Sequence, residues 1–466
     1  MAQSPYPETP VEPKQSSPNQ HLRSNRHEGL FPGLKSMPIP HIVLSGYLLY
    51  VLIGWIVLSI PFCHKNISAS PLDHLFIATS AVSTTGLTTI SVSDSYSLLG
   101  QIIVLILIQL GGIGYMTVGS FLILSQKGEL SDFRKSVGNA VYSLPKGFRV
   151  DKFIRSVVTF TLVIEILGAT FLYFPLRASG TDNPVWSAIF HSISAFCTAG
   201  FGLYNNSFES YSTNYTINII IAVLSYLGAI GFIVCVDVWR LMRGKVKYLT
   251  VTSRIILSVT FWMSLAGTIT IFLTEPSIEN APTDIRLLQS FFQCMTAMTT
   301  VGFNTTPIGG LAKATILLTV VLMVIGASPS GTGGGIKTTT LSAILGVMRS
   351  AIRGETTVKF WGKAIPLERL WMAFATVGFY LGALLFGTFF LELTEKASFD
   401  AIVFEAASAL GTVGLSMGIT SSLTVLGKII IILLMFCGRV GPLTFGAALF
   451  CSSAVHEEED KADLAI

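Results

Sequence analysis

Four glycines in this chain each close the same short run: Thr84-Thr85-Gly86-Leu87, Thr198-Ala199-Gly200-Phe201, Thr300-Val301-Gly302-Phe303 and Thr412-Val413-Gly414-Leu415. The agreement extends backward from each glycine. An alanine stands at minus five (Ala81, Ala195, Ala297, Ala409), a hydroxyl at minus six (Ser80, Ser194, Thr296, Ser408) and a phenylalanine at minus ten (Phe76, Phe190, Phe292, Phe404). Backbone carbonyls and threonine hydroxyls can replace the water shell of a bare monovalent cation, and such strands around one axis close a ring of oxygens suited to K⁺. Glycine is needed where adjacent carbonyls must turn to one axis, because the backbone then visits conformations that a side chain penalises. Small residues also serve ordinary helix packing. Four copies with shared offsets favour the ion-binding reading, in which one polypeptide supplies the whole ring.

Such strands need a membrane scaffold. Of 466 residues, 51% are hydrophobic and only 12% charged. Apolar segments near 42–63, 99–126, 153–176, 217–239, 250–273, 311–348, 367–391 and 422–454 each reach the roughly 20 residues that cross hydrocarbon. Between successive pairs, an apolar stretch of about a dozen residues leads into the Thr-x-Gly run; too short to span, it reads as a re-entrant half-helix. Its negative dipole end would face the ring. The expected fold class is therefore an all-α membrane protein: four tandem helix–pore-loop–helix repeats, about eight spanning helices, around one pseudo-fourfold pore. The units run over 41–126, 153–240, 250–349 and 367–454, with loops 127–152, 241–249 and 350–366, an arm 1–40 and a tail 455–466.

Lys and Arg gather in the three loops between units and in the arm, which places those parts and both termini on the cytoplasmic side of a plasma (inner) membrane and turns the ring outward. The net charge of +4 is then a topology signal, and no nucleic-acid partner is expected. Residues 1–40 hold eight of the 19 prolines and read as a disordered arm. The six cysteines (Cys63, Cys197, Cys235, Cys294, Cys437, Cys451) lack zinc-site spacing and read as unpaired thiols. Asn66, Asn205 and Asn214 begin glycosylation sequons that matter only in a secreting eukaryotic host.

A second element begins 24 to 28 residues beyond each strand glycine: Gly111-Gly112-Ile113-Gly114, Gly228-Ala229-Ile230-Gly231, Gly326-Ala327-Ser328-Pro329 and Gly438-Arg439-Val440-Gly441. These are weak points in the following helices. In the third unit Gly326 to Gly335 reads GASPSGTGGG, which no regular helix survives. Non-helical backbone at that depth is tolerated only when buried or lining a cavity, so residues 326–336 are expected to form an intramembrane gating loop, with Gly326, Ser328, Pro329, Ser330, Gly331, Thr332, Gly333, Gly334, Gly335 and Lys337 as gate residues. Gly335-Ile336-Lys337-Thr338 departs from the phosphate-cradling pattern, because Ile336 separates glycine from lysine, and no βαβ context surrounds it. Arg439 stands alone in an apolar run; it either faces the pore as part of the gate or pairs with a carbonyl or carboxylate. Glu165 reads as an interhelical hydrogen-bonding residue. At minus nine the units differ, with Ile77, His191, Gln293 and Glu405, read first as packing or helix-end residues.

These motifs resemble the Trk/Ktr/HKT superfamily of K⁺ and Na⁺ transporters, and most closely the membrane subunits of bacterial Ktr systems, from about residue 40 to 454. The resemblance rests on the four Thr-x-Gly strands, the GASPSGTGGGIKTTT loop and GRVGP. It implies a transporter and no enzyme, with K⁺ bound at the sixteen strand residues and no cofactor in this chain. It also implies a homodimer in membrane lipid and a KtrA-like cytoplasmic regulatory subunit that carries ATP, ADP or an NAD-type nucleotide. In this superfamily serine in place of the first filter glycine is associated with Na⁺ selectivity, and this chain keeps Gly86. The implied function is gated, channel-like K⁺ uptake that Na⁺ can accompany; the alternative is a Na⁺ or mixed transporter of the same superfamily. A pump or other membrane enzyme would need a polar catalytic domain for which the loops leave no room.

Overall fold

The computed structural model describes residues 39–65, 69–114, 117, 120, 124 and 150–450. The arm up to residue 38, most of the loop 127–152, the tail 455–466, Asn66 and Cys451 lie outside the described residues. In chain order the helices are α1 (Ile39–Leu58), α2 (Pro71–Val82), a single turn α3 (Val92–Ser95), α4 (Leu98–Ile113), α5 (Val150–Ala178), α6 (Pro184–Phe196), α7 (Tyr215–Ile230), α8 (Phe232–Met242), α9 (Val251–Thr274), α10 (Thr283–Thr299), α11 (Lys313–Val324), α12 (Thr338–Ile352), α13 (Leu367–Thr394), α14 (Phe399–Gly411), α15 (Val425–Val440) and α16 (Pro442–Phe450). A two-residue antiparallel hairpin, β1 (Lys359–Phe360) with β2 (Lys363–Ala364), lies between α12 and α13.

Long helices α1, α5, α9 and α13 hold 20, 29, 24 and 28 residues, enough to cross hydrocarbon at 1.5 Å per residue. Each leads into a shorter one. Local sequence starts these short helices: Ser70 and Asp73 form a reciprocal capping box ahead of α2, and Pro71 and Pro184 sit at helix starts where their missing N–H is not needed.

The helices after the Thr-x-Gly strands differ from the expected continuous crossings. α4 ends at Gly114 (φ 86°), and α15 breaks from α16 at Gly441 (φ 93°). α7 meets α8 at a 97° bend on Gly231. α11 stops at Val324, and α12 resumes only at Thr338. Among the described residues four helices are long and apolar enough to span, or five if the bent pair counts as one, instead of about eight. Hydropathy missed the breaks at Gly114, Gly231 and Gly441 because the sequence on both sides is apolar, while a positive φ at glycine ends the helix without changing composition.

The cores explain the repeated phenylalanine and alanine. Four apolar clusters join neighbouring segments, and each takes the alanine of one segment and the phenylalanine of the next: Ala81 with Phe190, Ala195 with Phe292, Ala297 with Phe404, Ala409 with Phe76. The last pair links the fourth segment back to the first. All eight side chains are buried. An ion pair adds to that closing seam, Lys428 on α15 to Asp73 on α2 at 2.7 Å.

Candidate ion-binding site

Each short helix stops in the same way. Thr85 N donates to Ser80 O at 2.8 Å and Thr84 N to Ala81 O at 3.1 Å, and the matching bonds recur at Ala199 and Thr198, Val301 and Thr300, Val413 and Thr412. These two bonds make a Schellman terminus, which demands a left-handed residue. Glycine usually fills that place. Here it is Thr84, Thr198, Thr300 and Thr412, at φ of 53°, 49°, 59° and 50°. A β-branched residue in this region costs roughly 1–2 kcal/mol, a strain that persists only where the surroundings over-determine it.

Two residues later the glycines again take positive φ. A Cβ built on Gly86 would lie 2.5 Å from the Ala199 carbonyl oxygen; one on Gly200 would strike Val301 O, one on Gly302 Val413 O, and one on Gly414 Thr85 O. The cycle closes. Four helix C-termini, with their partial negative charge, and four strands of carbonyls thus meet around one ring of glycines. The residues after the glycines, Leu87, Phe201, Phe303 and Leu415, are buried in the clusters between segments and fix the strands from behind.

The irregular segment 325–337 packs against the threonine end of this ring. Thr84 Oγ1 donates to Thr332 O at 3.3 Å, and Thr198 Oγ1 lies 3.0 Å from Thr332 Oγ1. Gly333 lies so close to Thr300 Oγ1, and Gly334 to Thr412 Oγ1, that neither has room for a Cβ. Three consecutive residues therefore touch all four left-handed threonines. Backbone bonds tie the segment to the α7–α8 bend: Ser328 N to Ala229 O at 2.9 Å, Thr332 N to Gly228 O at 3.1 Å, and Phe232 N to Ser330 O at 3.2 Å.

Two cations clasp it. Lys337 Nζ donates to Gly333 O at 2.6 Å and Gly334 O at 3.1 Å. Arg439 donates through Nη1 to Thr84 Oγ1 at 2.9 Å and to Thr332 O, and through Nη2 to Gly111 O. Arg439 thus pairs with carbonyls, and it also lines a cavity of about 510 Å³ that Lys337, Gly333 and Gly334 share. A second cavity, about 600 Å³, opens on the other side of the ring and touches Gly86, Gly200, Gly302 and Gly414.

Of the unequal minus-nine residues, His191 accepts from Leu203 N at 3.2 Å and stacks on Tyr204, while Glu405 accepts from Ser416 Oγ at 2.8 Å and from Thr420 Oγ1. Both brace the chain just beyond a strand. Glu165 accepts from Gln109 Nε2 on the neighbouring α4 at 3.0 Å. Replacing Glu405 with Leu would leave the half-buried Ser416 hydroxyl without its acceptor and Thr420 with Ser416 Oγ alone, at 2.9 Å, and should destabilise the protein by about 1–3 kcal/mol, whereas Gln keeps an acceptor. Thermal unfolding in detergent checks this: a Leu variant as stable as the Gln variant would exclude the bracing role.

Sequence reasoning missed the Gly228 and Ala229 carbonyls as anchors and the left-handed threonines. Only the recurrence of threonine where helices usually carry glycine could have signalled the latter. Among the described residues no group of three or more His, Cys, Asp or Glu converges as a metal site, and the five described cysteines are unpaired.

Residues 49–451 match the family model described as TrkH, cation transport protein. The chain belongs to this family. Its members transport ions and are not enzymes. It is 34% identical over 416 residues to the Ktr system potassium uptake protein B of Vibrio alginolyticus, covering 88% of this chain and 91% of that protein. It is 32% identical over 413 residues to the potassium/sodium uptake protein NtpJ of Enterococcus hirae, covering 86% and 91%. The fold also matches the crystal structure of the potassium transporter TrkH from Vibrio parahaemolyticus, with a TM-score of 0.68, 21% identity, and coverage of 88% and 85%. Family membership and the long apolar helices make this TrkH-family chain a multi-pass membrane protein.

Proposed function

We propose that this chain is the membrane subunit of a K⁺ uptake system, passing K⁺ through a pore formed by four helix–pore-loop–helix units. The observation that carries the reading is the closed cycle in which each of Gly86, Gly200, Gly302 and Gly414 packs on the carbonyl of the next strand. In this reading the sixteen residues of the four Thr-x-Gly strands coordinate dehydrated K⁺, and the cavity at the glycine end is the outer mouth. Residues 326–336, clasped by Lys337 and Arg439, close the inner end and act as the gate. Both termini lie in the cytoplasm of a plasma-membrane protein, and two chains form a homodimer. The name Ktr system, carried by relatives in Vibrio alginolyticus and Bacillus subtilis, supports a multi-component system. In this reading a cytoplasmic subunit carrying an adenine nucleotide works the gate.

Expression in cells that lack K⁺ uptake tests this. Growth on low K⁺, strengthened by a Ktr-type cytoplasmic subunit, is the expected result; failure to restore growth by a chain verified in the membrane rejects it. A Na⁺ or mixed pathway is the second reading, favoured by Thr85 where the other strands carry Ala199, Val301 and Val413, and by the Enterococcus relative's potassium/sodium name. Ion-resolved flux separates the two.

A further inference from the structure

The cavity of about 600 Å³ at the glycine end has one charged residue in its described lining, Glu209. The cavity at the opposite end carries Lys337 and Arg439 and no carboxylate among its described lining. Glu209 is held in place by the chain just beyond the third strand. Asn304 donates Nδ2 to Glu209 Oε1 at 2.8 Å and to Thr306 O at 3.1 Å. Asn304 N donates to Ser207 Oγ at 3.1 Å, and Phe208 N donates to Asn304 O at 2.9 Å. Asn304 follows Gly302 by two residues, so its Cα lies within about 7 Å of the ring. One carboxylate oxygen is occupied by Asn304; among the described residues the other, Oε2, meets no donor.

We propose that Glu209, positioned by Asn304, sets the apparent affinity for the transported monovalent cation by concentrating it in the outer cavity. This rests on the pore reading above. A lone carboxylate does not strip a hydrated ion; it raises the local cation concentration at a low-dielectric mouth. The residue therefore governs capture, and leaves selection and transit to the ring. With the cationic inner cavity it also gives the pathway an electrostatic slope that favours entry from the Glu209 side.

Asp94 supplies the internal control. It accepts from Asn205 Nδ2 at 2.8 Å, is exposed, and lies outside the lining of the cavity.

The test is ⁸⁶Rb⁺ uptake by the full chain in liposomes at two ionic strengths set with an impermeant organic cation. At about 10 mM the screening length is about 30 Å, and at 150 mM about 8 Å. Glu209→Gln keeps an acceptor for Asn304 but loses the charge. It should raise KM roughly three- to tenfold at low ionic strength with the maximal rate unchanged, and the difference should shrink at high ionic strength. Glu209→Asp should retain most of the affinity, and Asp94→Asn should change KM less than about twofold. An unchanged KM in Glu209→Gln beside normal wild-type flux overturns this inference alone. A lowered maximal rate with unchanged KM also overturns it, by pointing to a structural role. Absence of saturable flux both in the wild-type chain and in a well-expressed chain that lacks residues 327–334 overturns the pore reading, and this inference with it.

Discussion

Serine in place of Gly86 should lower the ratio of K⁺ to Na⁺ flux by roughly tenfold, the factor that about 1.4 kcal/mol of differential binding produces. The reason is geometric. Gly86 has φ +93°, where a side chain costs about 1–2 kcal/mol, and a Cβ there would lie 2.5 Å from the Ala199 carbonyl oxygen. That oxygen, or the strand behind it, has to move. A ring fitted to a larger ion then loses one of its ligands, while a smaller ion that retains part of its water shell tolerates the change better. Gly302→Ala is the harsher variant, because its Cβ would strike Val413 O and also approach Val413 C to 3.0 Å, and it should abolish flux. Paired ⁸⁶Rb⁺ and ²²Na⁺ measurements decide the matter. An unchanged ion ratio in Gly86→Ser, with the protein folded and in the membrane, would remove Gly86 from the proposed filter.

Releasing the proposed gate should change flux in the opposite direction. Arg439 donates to Thr332 O, Thr84 Oγ1 and Gly111 O, and hydrogen bonds from charged donors contribute about 1.5–3 kcal/mol each. Arg439→Ala removes these bonds and also a positive charge at the threonine end of the ring. Both effects favour cation passage, so basal flux without any regulatory subunit should rise by about tenfold or more. Deleting residues 327–334 removes the contacts with all four threonines, and also the ties to Gly228 and Ala229, and should give at least the same rise. Basal flux equal to wild type in a well-expressed deletion would show that this segment does not obstruct the pathway.

Much of this was legible in the residues themselves. Hydropathy located the long helices because each needs an unbroken apolar face, and the fixed offsets of Phe, hydroxyl, Ala and Gly located the strands because each offset has a separate job. Ser80 and Ala81 accept the two bonds that end α2, Phe76 fills the seam to the fourth segment, and Gly86 admits a neighbour's carbonyl. Composition also forced the break after Gly326. What stayed hidden depends on partners distant in sequence. Nothing near Arg439 announces Gly111 and Thr332, which lie 328 and 107 positions away. The bend at Gly231 is likewise invisible to hydropathy, since Ile230 and Phe232 are equally apolar. The minus-nine residues could be identified as unequal but not assigned, because the bracing of Glu405 by Ser416 and Thr420 is a property of how the turn after the strand folds back.

The contact of Thr332, Gly333 and Gly334 with four threonines has a consequence for how such a protein can be built. A homotetramer would have to bring four copies of the same plug to one point on its axis, where they would exclude one another, or carry none. Fusion of the quarters into a single polypeptide lets one quarter diverge and hold the stopper alone. Under the proposed gating role each conduit has one valve, so a regulator would act once per chain and no half-opened mixtures of quarters would arise.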